Sequence, residues 1–176
     1  TNNLQDAIDA GMTTIFLQGG KISNTISLRN EVNRIMSLGE GAINFQTIKD
    51  PVFRLEDGNS HFVIMEMIYG TYGSNSETVY EHASDRTWVI RHGSGSYVNR
   101  SASFGANIFI ASIVGYPFQF KKVNAYLRDM NTERGGDNAP NIVNDGGKVW
   151  ILGQKTEDYG TKIKTINNGA TELLGG

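Results

Sequence analysis

No cysteine occurs among the 176 residues, which removes disulfide frameworks, thiolate-held zinc and thiol nucleophiles from the chemistry open to this chain. Prolines number only three, so rigid corners must be made by other residues. Charge of one sign is lacking as well: 16 Lys and Arg stand against 18 Asp and Glu, a formal net charge of −2, and the sequence pI is near 5.9. Without a bulk field to draw phosphate, nucleic acid is not an expected partner. No apolar run approaches the roughly 20 residues of a membrane span. The opening "TNNLQDAIDAG" has neither the basic start of a leader peptide nor an initiator Met, as expected of a mature product or an excised piece of a longer protein.

What is present points one way. Twenty-one glycines, with Ile, Val, Phe and Tyr gathered in short runs, are the balance of an all-β chain with many corners. One stretch reads as helix: in "NLQDAIDAG", Leu4, Ala7 and Ile8 share a face and Gly11 supplies a stop. Strand candidates then follow steadily, among them "TTIFLQ", "TISL", "VNRIMSL", "AINFQTI", "VFRLE", "HFVIMEMIYG", "TWVIRH", "ANIFIAS", "PFQFKKV", "VWILGQ" and "TKIKTI". Corners such as "LEDGNS", "HGSGS", "ERGGDN" and "NDGG" separate many of them, and Asn-Gly hairpin signals are rare, "NNG" near Asn168 being an exception.

Few hairpins and many corners argue against an antiparallel meander and for a column of stacked coils. Ile90 and Ile110 lie 20 positions apart and Leu127 and Ile151 lie 24 apart, steps within the range of repeat architectures. The expected fold is therefore all-β: one right-handed parallel β-helix, or solenoid, over residues 1–176, capped at its start by a short helix and forming all or part of a longer column. Strands ~4.8 Å apart in about seven coils give a column on the order of 34 Å tall.

The segments "LQDAIDAGMTTIFLQGGKISNTISLRNEVNRIMSLGEG", "HASDRTWVIRHG", "NAYLRDMNTE" and "NDGGKVWILGQKTEDYGTKIKTINNGATELLGG" resemble proteins of the pectate lyase superfamily, in particular the bacterial members described as glycosyl hydrolase family 28-related. That resemblance implies a right-handed parallel β-helix, an extracellular setting and a polysaccharide or oligosaccharide partner. One departure stands out. Where the family pattern is Arg-Gln-Leu-Asn-x-Glu, this chain has Arg128, Asp129, Met130, Asn131, Thr132 and Glu133.

Three kinds of behaviour are open to such a chain. Glycoside hydrolysis needs two carboxyl groups roughly 5 to 9.5 Å apart. Asp129 and Glu133, four extended residues apart, sit about 13 Å from each other, so a working pair must cross between coils, for instance Glu66 with Asp129. A lyase needs a base beside a group that neutralises a uronate, often calcium. Arg86, Arg91, His92 and Arg128 supply positive charge, but no Asp or Glu cluster has calcium spacing, and neither metal nor organic cofactor is expected. The third behaviour is binding, with Tyr72, Tyr80, Trp88 and Tyr126 as sugar platforms and Trp150 assigned to the core.

The candidate catalytic residues are Glu66, Arg91, Arg128, Asp129 and Glu133, in an extracellular hydrolase or lyase. The alternative is a structural, adhesive or carbohydrate-binding module that self-associates through coil ends or strand faces. Glu66 and Arg91, 25 positions apart, also read as an ion pair stacked between neighbouring strands. His82 and His92 read as surface or corner histidines. "GQKTE" lacks the glycine-rich lead of a phosphate loop, and "HGSGSYVN" lacks the third glycine and the helix of a nucleotide site. Asn99, Arg100 and Ser101 form one glycosylation sequon.

Overall fold

The computed structural model describes residues 3–39, 43–45, 51–71, 78–100, 105–132, 139–157 and 159–175. It begins with helix α1 (Asn3–Asp9), followed by β1 (Thr14–Leu17), β2 (Gly20–Lys21), β3 (Ile26–Asn30), β4 (Arg34–Ser37), β5 (Ile43–Asn44) and β6 (Phe53–Gly58). The middle holds β7 (Phe62–Glu66), β8 (Gly70–Thr71), β9 (Tyr80–His82), β10 (Thr87–Ser94), β11 (Tyr97–Asn99) and β12 (Asn107–Val114). The remainder is β13 (Phe118–Lys121), β14 (Asn124–Asn131), β15 (Ile142–Asp145), β16 (Lys148–Lys155), β17 (Ile163–Ile166) and β18 (Ala170–Leu174).

The fold is all-β with parallel sheets. An eight-stranded sheet runs β1-β4-β7-β10-β12-β14-β16-β18, a seven-stranded sheet runs β17-β15-β13-β11-β9-β6-β3, and β2-β5-β8 form a third. Every pairing among the described residues is parallel. Strands adjacent in sequence fall in different sheets, so the chain visits the sheets in rotation. The two steps read from the sequence hold: Ile90 is the register partner of Ile110, and Leu127 of Ile151.

Alternation does the packing. In β12, β14 and β16 alternate side chains turn inward, so Ile90, Ile110, Leu127 and Ile151 stack in register within one buried column. Burying each such side chain contributes roughly 1.5–3 kcal/mol. Aromatic rings fill the space between the two large sheets: Phe53 stacks on Tyr80 at 6.0 Å, Tyr97 on Phe120 at 5.1 Å, and Trp88 meets Tyr80 edge-on at 5.8 Å. Tyr80 and Trp88, read from the sequence as sugar platforms, are thus core residues, 1% and 0% exposed. Trp88 points inward because Arg91, three positions on, must point out. Tyr72 lies outside the described residues.

Helix α1 closes one end. Ile8 is fully buried and Leu4 and Ala7 pack against the core, while the Gln5 side chain accepts the Ser27 N–H of edge strand β3 at 2.8 Å. Inside, Arg86 ties several turns together. Its guanidinium donates to the carbonyls of Ser60 at 2.6 Å, Val32 at 2.7 Å, and Leu28 and Glu56 at 3.1 Å each.

The corners carry a second pattern. Met67, His92, Ser112, Asp129 and Gly153 have φ of 59°, 53°, 53°, 52° and 80°, and each directly follows a register partner on β7, β10, β12, β14 or β16. A left-handed residue therefore bends each of these five strands at one level, although only one of them is glycine. Asn167 and Asn168, the "NNG" hairpin signal, have φ of 52° and 60°, and the turn closes with Gly169 N–H donating to Ile166 O at 3.0 Å. The turn is of hairpin kind, but it joins β17 to β18, which belong to different sheets.

Candidate functional site

The outward side of the eight-stranded sheet holds the densest set of the residues singled out from the sequence. Two side-chain columns run up it. One contains Ile64, Val89, Phe109, Tyr126, Trp150 and Glu172, the other Glu66, Arg91, Ala111, Arg128, Leu152 and Leu174, each residue in register with the next. The parity that buries Val149 and Ile151 sends Trp150 outward, so this residue is not in the core as the sequence suggested. Its ring stacks on Tyr126 at 4.9 Å and 6°, and Tyr126 stacks on Phe109 at 4.7 Å and 11°. The spacing is that of parallel strands; the rings stack because the backbone delivers them at that interval.

Beside the rings the second column changes character. Glu66 is mostly buried and held by two arginines: Arg34 donates to Oε2 at 2.8 and 2.5 Å, and Arg91 reaches Oε1 at 2.7 and 2.6 Å. Next comes Ala111, whose single methyl leaves a gap, then Arg128, which is exposed and has no ion pair among the described residues. Arg91, Phe109, Ala111, Tyr126, Arg128 and Trp150 line a groove of about 380 Å³, together with Leu152 and Leu174.

The structure brings together Glu66 and Arg91 as an ion pair, with Arg128 farther up the same column. Asp129 follows Arg128 at a left-handed position and accepts a hydrogen bond from the Ser112 hydroxyl at 3.0 Å. Three strand intervals separate Glu66 from the level of Arg128, about 14 Å of backbone distance, and Glu66 is engaged with its arginines. Glu133 lies outside the described residues. Among the described residues no three His, Asp or Glu side chains are grouped to hold a metal.

The histidines part company. His92 is exposed at a corner, as read from the sequence, whereas His82 is fully buried between Tyr97 and the Arg86 carbonyl. Burial pulls its pKa from the usual 6.5 down to about 4 and pushes the Tyr97 hydroxyl well above its ordinary value. Asn99, the sequon asparagine, is buried, its amide bound on both sides to the Lys121 backbone at 2.6 Å. Gly93 and Gly95 of "HGSGSYVN" serve close packing: a Cβ would meet the Ile68 carbonyl oxygen at 2.6 Å and Val79 at 2.7 Å. Lys155 pairs with Glu157 at 3.0 Å.

The sequence reading missed the aromatic stack because it judged each ring alone. Register supplies the signal: Phe109, Tyr126 and Trp150 directly precede the inward residues Ile110, Leu127 and Ile151. No family model, curated protein or solved structure matches this chain.

Proposed function

We propose that the chain is a right-handed parallel β-helix of the polysaccharide-directed kind, working outside the cell, and that it binds a polysaccharide along the groove over Phe109, Tyr126 and Trp150 without cleaving it. The relation to the pectate lyase superfamily and its glycosyl hydrolase family 28-related members is part of the same proposal. Sheets visited in rotation and paired in parallel support the β-helix. One observation carries the binding reading: three stacked aromatic side chains stand next to Arg128, an exposed cation with no ion pair among the described residues, in one groove. The apolar flank of the stack gains by shedding water onto the C–H surfaces of a sugar, and a guanidinium donates to its oxygens. The roughly 14 Å of backbone between Glu66 and the level of Arg128, and the engagement of Glu66 by Arg34 and Arg91, favour binding over hydrolysis.

Affinity electrophoresis of the chain through gels containing neutral or acidic polysaccharides tests this. Retardation by at least one polysaccharide is expected, with affinity reduced about tenfold or more by Trp150→Ala or Arg128→Ala. Retardation by none of them refutes the reading. The enzyme reading draws on the left-handed backbone of His92, Ser112 and Asp129 beside the groove, since such strain gathers at functional sites. New reducing ends or unsaturated-sugar absorbance, lost in Asp129→Asn, would replace binding with hydrolysis or elimination.

A further inference from the structure

We infer that the end of the molecule formed by β17 and β18 binds a second copy of this chain about a two-fold axis passing through Asn168. The two strands are the outermost members of their sheets, each paired on one edge only, to β15 and β16. Among the described residues two unpaired strand edges thus lie side by side, joined by the Asn167–Gly169 turn. Their inward positions, Ile163 and Thr165 on β17 and Thr171 and Leu173 on β18, continue the columns of Ile142, Asn144, Val149 and Ile151. Leu173 is 47% exposed, whereas Ile151, directly beneath it, is 0% exposed. None of the four carries charge. Helix α1 packs over Ile8 at the opposite end, whereas no described residue pairs with the outer edges of β17 and β18, and contact between like ends closes the assembly at two copies.

A two-fold axis lying in the plane of that end and bisecting the turn at Asn168 sets β17 of one copy antiparallel on β18 of the other. Residues equidistant from Asn168 then face one another. Ile163 meets Leu173, Thr165 meets Thr171, Ile166 meets Ala170, and Lys164 meets Glu172. Inward positions fall on inward and outward on outward, which register demands of any edge pairing. The single ionic contact is complementary and occurs twice by symmetry. Lys164 and Glu172 are both exposed, and neither has an ion pair among the described residues. Within one chain the Thr165 and Thr171 hydroxyls already meet at 2.7 Å, so positions equidistant from the turn do face each other across this end. A foreign strand edge would need the same apolar pattern and an opposite charge at the same offset; a second copy supplies both.

Sedimentation equilibrium of the whole chain tests the inference through charge reversal. A reversible dimer is expected, with its Kd raised about 30-fold by Lys164→Glu or by Glu172→Lys, since each reversal turns two attractive contacts into repulsive ones. Mixing the two single variants restores both ion pairs in a heterodimer and is expected to recover the original Kd to within about threefold. That recovery also shows that each variant is folded. A chain that stays monomeric to about 1 mM, a dimer indifferent to either reversal, or a mixture that fails to recover would each overturn the inference.

Discussion

The Nδ1 atom of His82 lies 2.9 Å from the Tyr97 hydroxyl in the interior. The other ring nitrogen, 2.8 Å from the Arg86 carbonyl, must carry the hydrogen, because a carbonyl only accepts. Nδ1 is then bare and takes the Tyr97 O–H. In this arrangement each hydrogen of the pair has an acceptor, and burial keeps the imidazole neutral by lowering its pKa to about 4. Between pH 6.5 and 4 the unfolded chain protonates this ring and the folded chain does not, so stability falls as pH falls through that window. The loss totals roughly 3 kcal/mol. Urea unfolding of the wild type and of His82→Gln at pH 7, 6, 5 and 4 checks it: the variant starts lower and declines less.

Arg86 satisfies four carbonyls belonging to Leu28, Val32, Glu56 and Ser60. Arg86→Ala strands several of them, and a loss of roughly 3–5 kcal/mol is expected. Arg86→Lys keeps a cation but lacks the planar fork, so it recovers only part of that loss. Chemical denaturation midpoints separate the three proteins.

Glu66 between Arg34 and Arg91 has the geometry of a structural clamp. Both arginines are about two-fifths exposed, which limits the value of each pair through solvent screening. Glu66→Ala is expected to cost about 1–2 kcal/mol while leaving polysaccharide retardation in place. A variant that keeps its melting temperature but loses retardation would move Glu66 from scaffold to site.

Two glycines on neighbouring corners separate crowding from backbone conformation. A Cβ at Gly147 would lie 2.5 Å from the Val123 carbonyl oxygen and 3.1 Å from Asn144 Oδ1, so Gly147→Ala is expected to cost roughly 1–3 kcal/mol. At Gly153 nothing approaches closer than 3.9 Å, but φ is +80°, and Gly153→Ala is expected to cost about 1 kcal/mol. Gly153→Asn should be milder, because Asn tolerates that conformation. Thermal unfolding of the three variants ranks them.

The two tryptophans report opposite environments. Trp88 is fully buried, whereas Trp150 lines the groove. Iodide is expected to quench one emitting component and spare the other, and Trp150→Phe should remove the quenched one. Two equally protected components would contradict the outward orientation of Trp150.

Much of this was readable in the sequence wherever a charge fixed the parity of a strand. The pairing of Glu66 with Arg91 follows from one coil length, as do the Ile90–Ile110 and Leu127–Ile151 steps. Legibility failed where apolar residues occupied both faces. In "VWILGQ", Val149, Trp150 and Ile151 are alike to hydropathy, and only register shows which of them faces out. In "YEHAS", Tyr80, Glu81 and His82 are all buried, so alternation leaves no trace and His82 reads as a surface or corner histidine. Strand β18 was passed over because "ATELL" is largely solvated on both faces.

The level at which Met67, His92, Ser112 and Asp129 adopt left-handed backbone is the natural place to harden this molecule. None of the four belongs to the buried core, so replacing these with glycine or asparagine relieves backbone strain, the Ser112–Asp129 hydrogen bond being the contact given up. Because the positions recur from strand to strand, the gains should accumulate step by step, so thermal tolerance could be raised in graded increments while the shape stays the same.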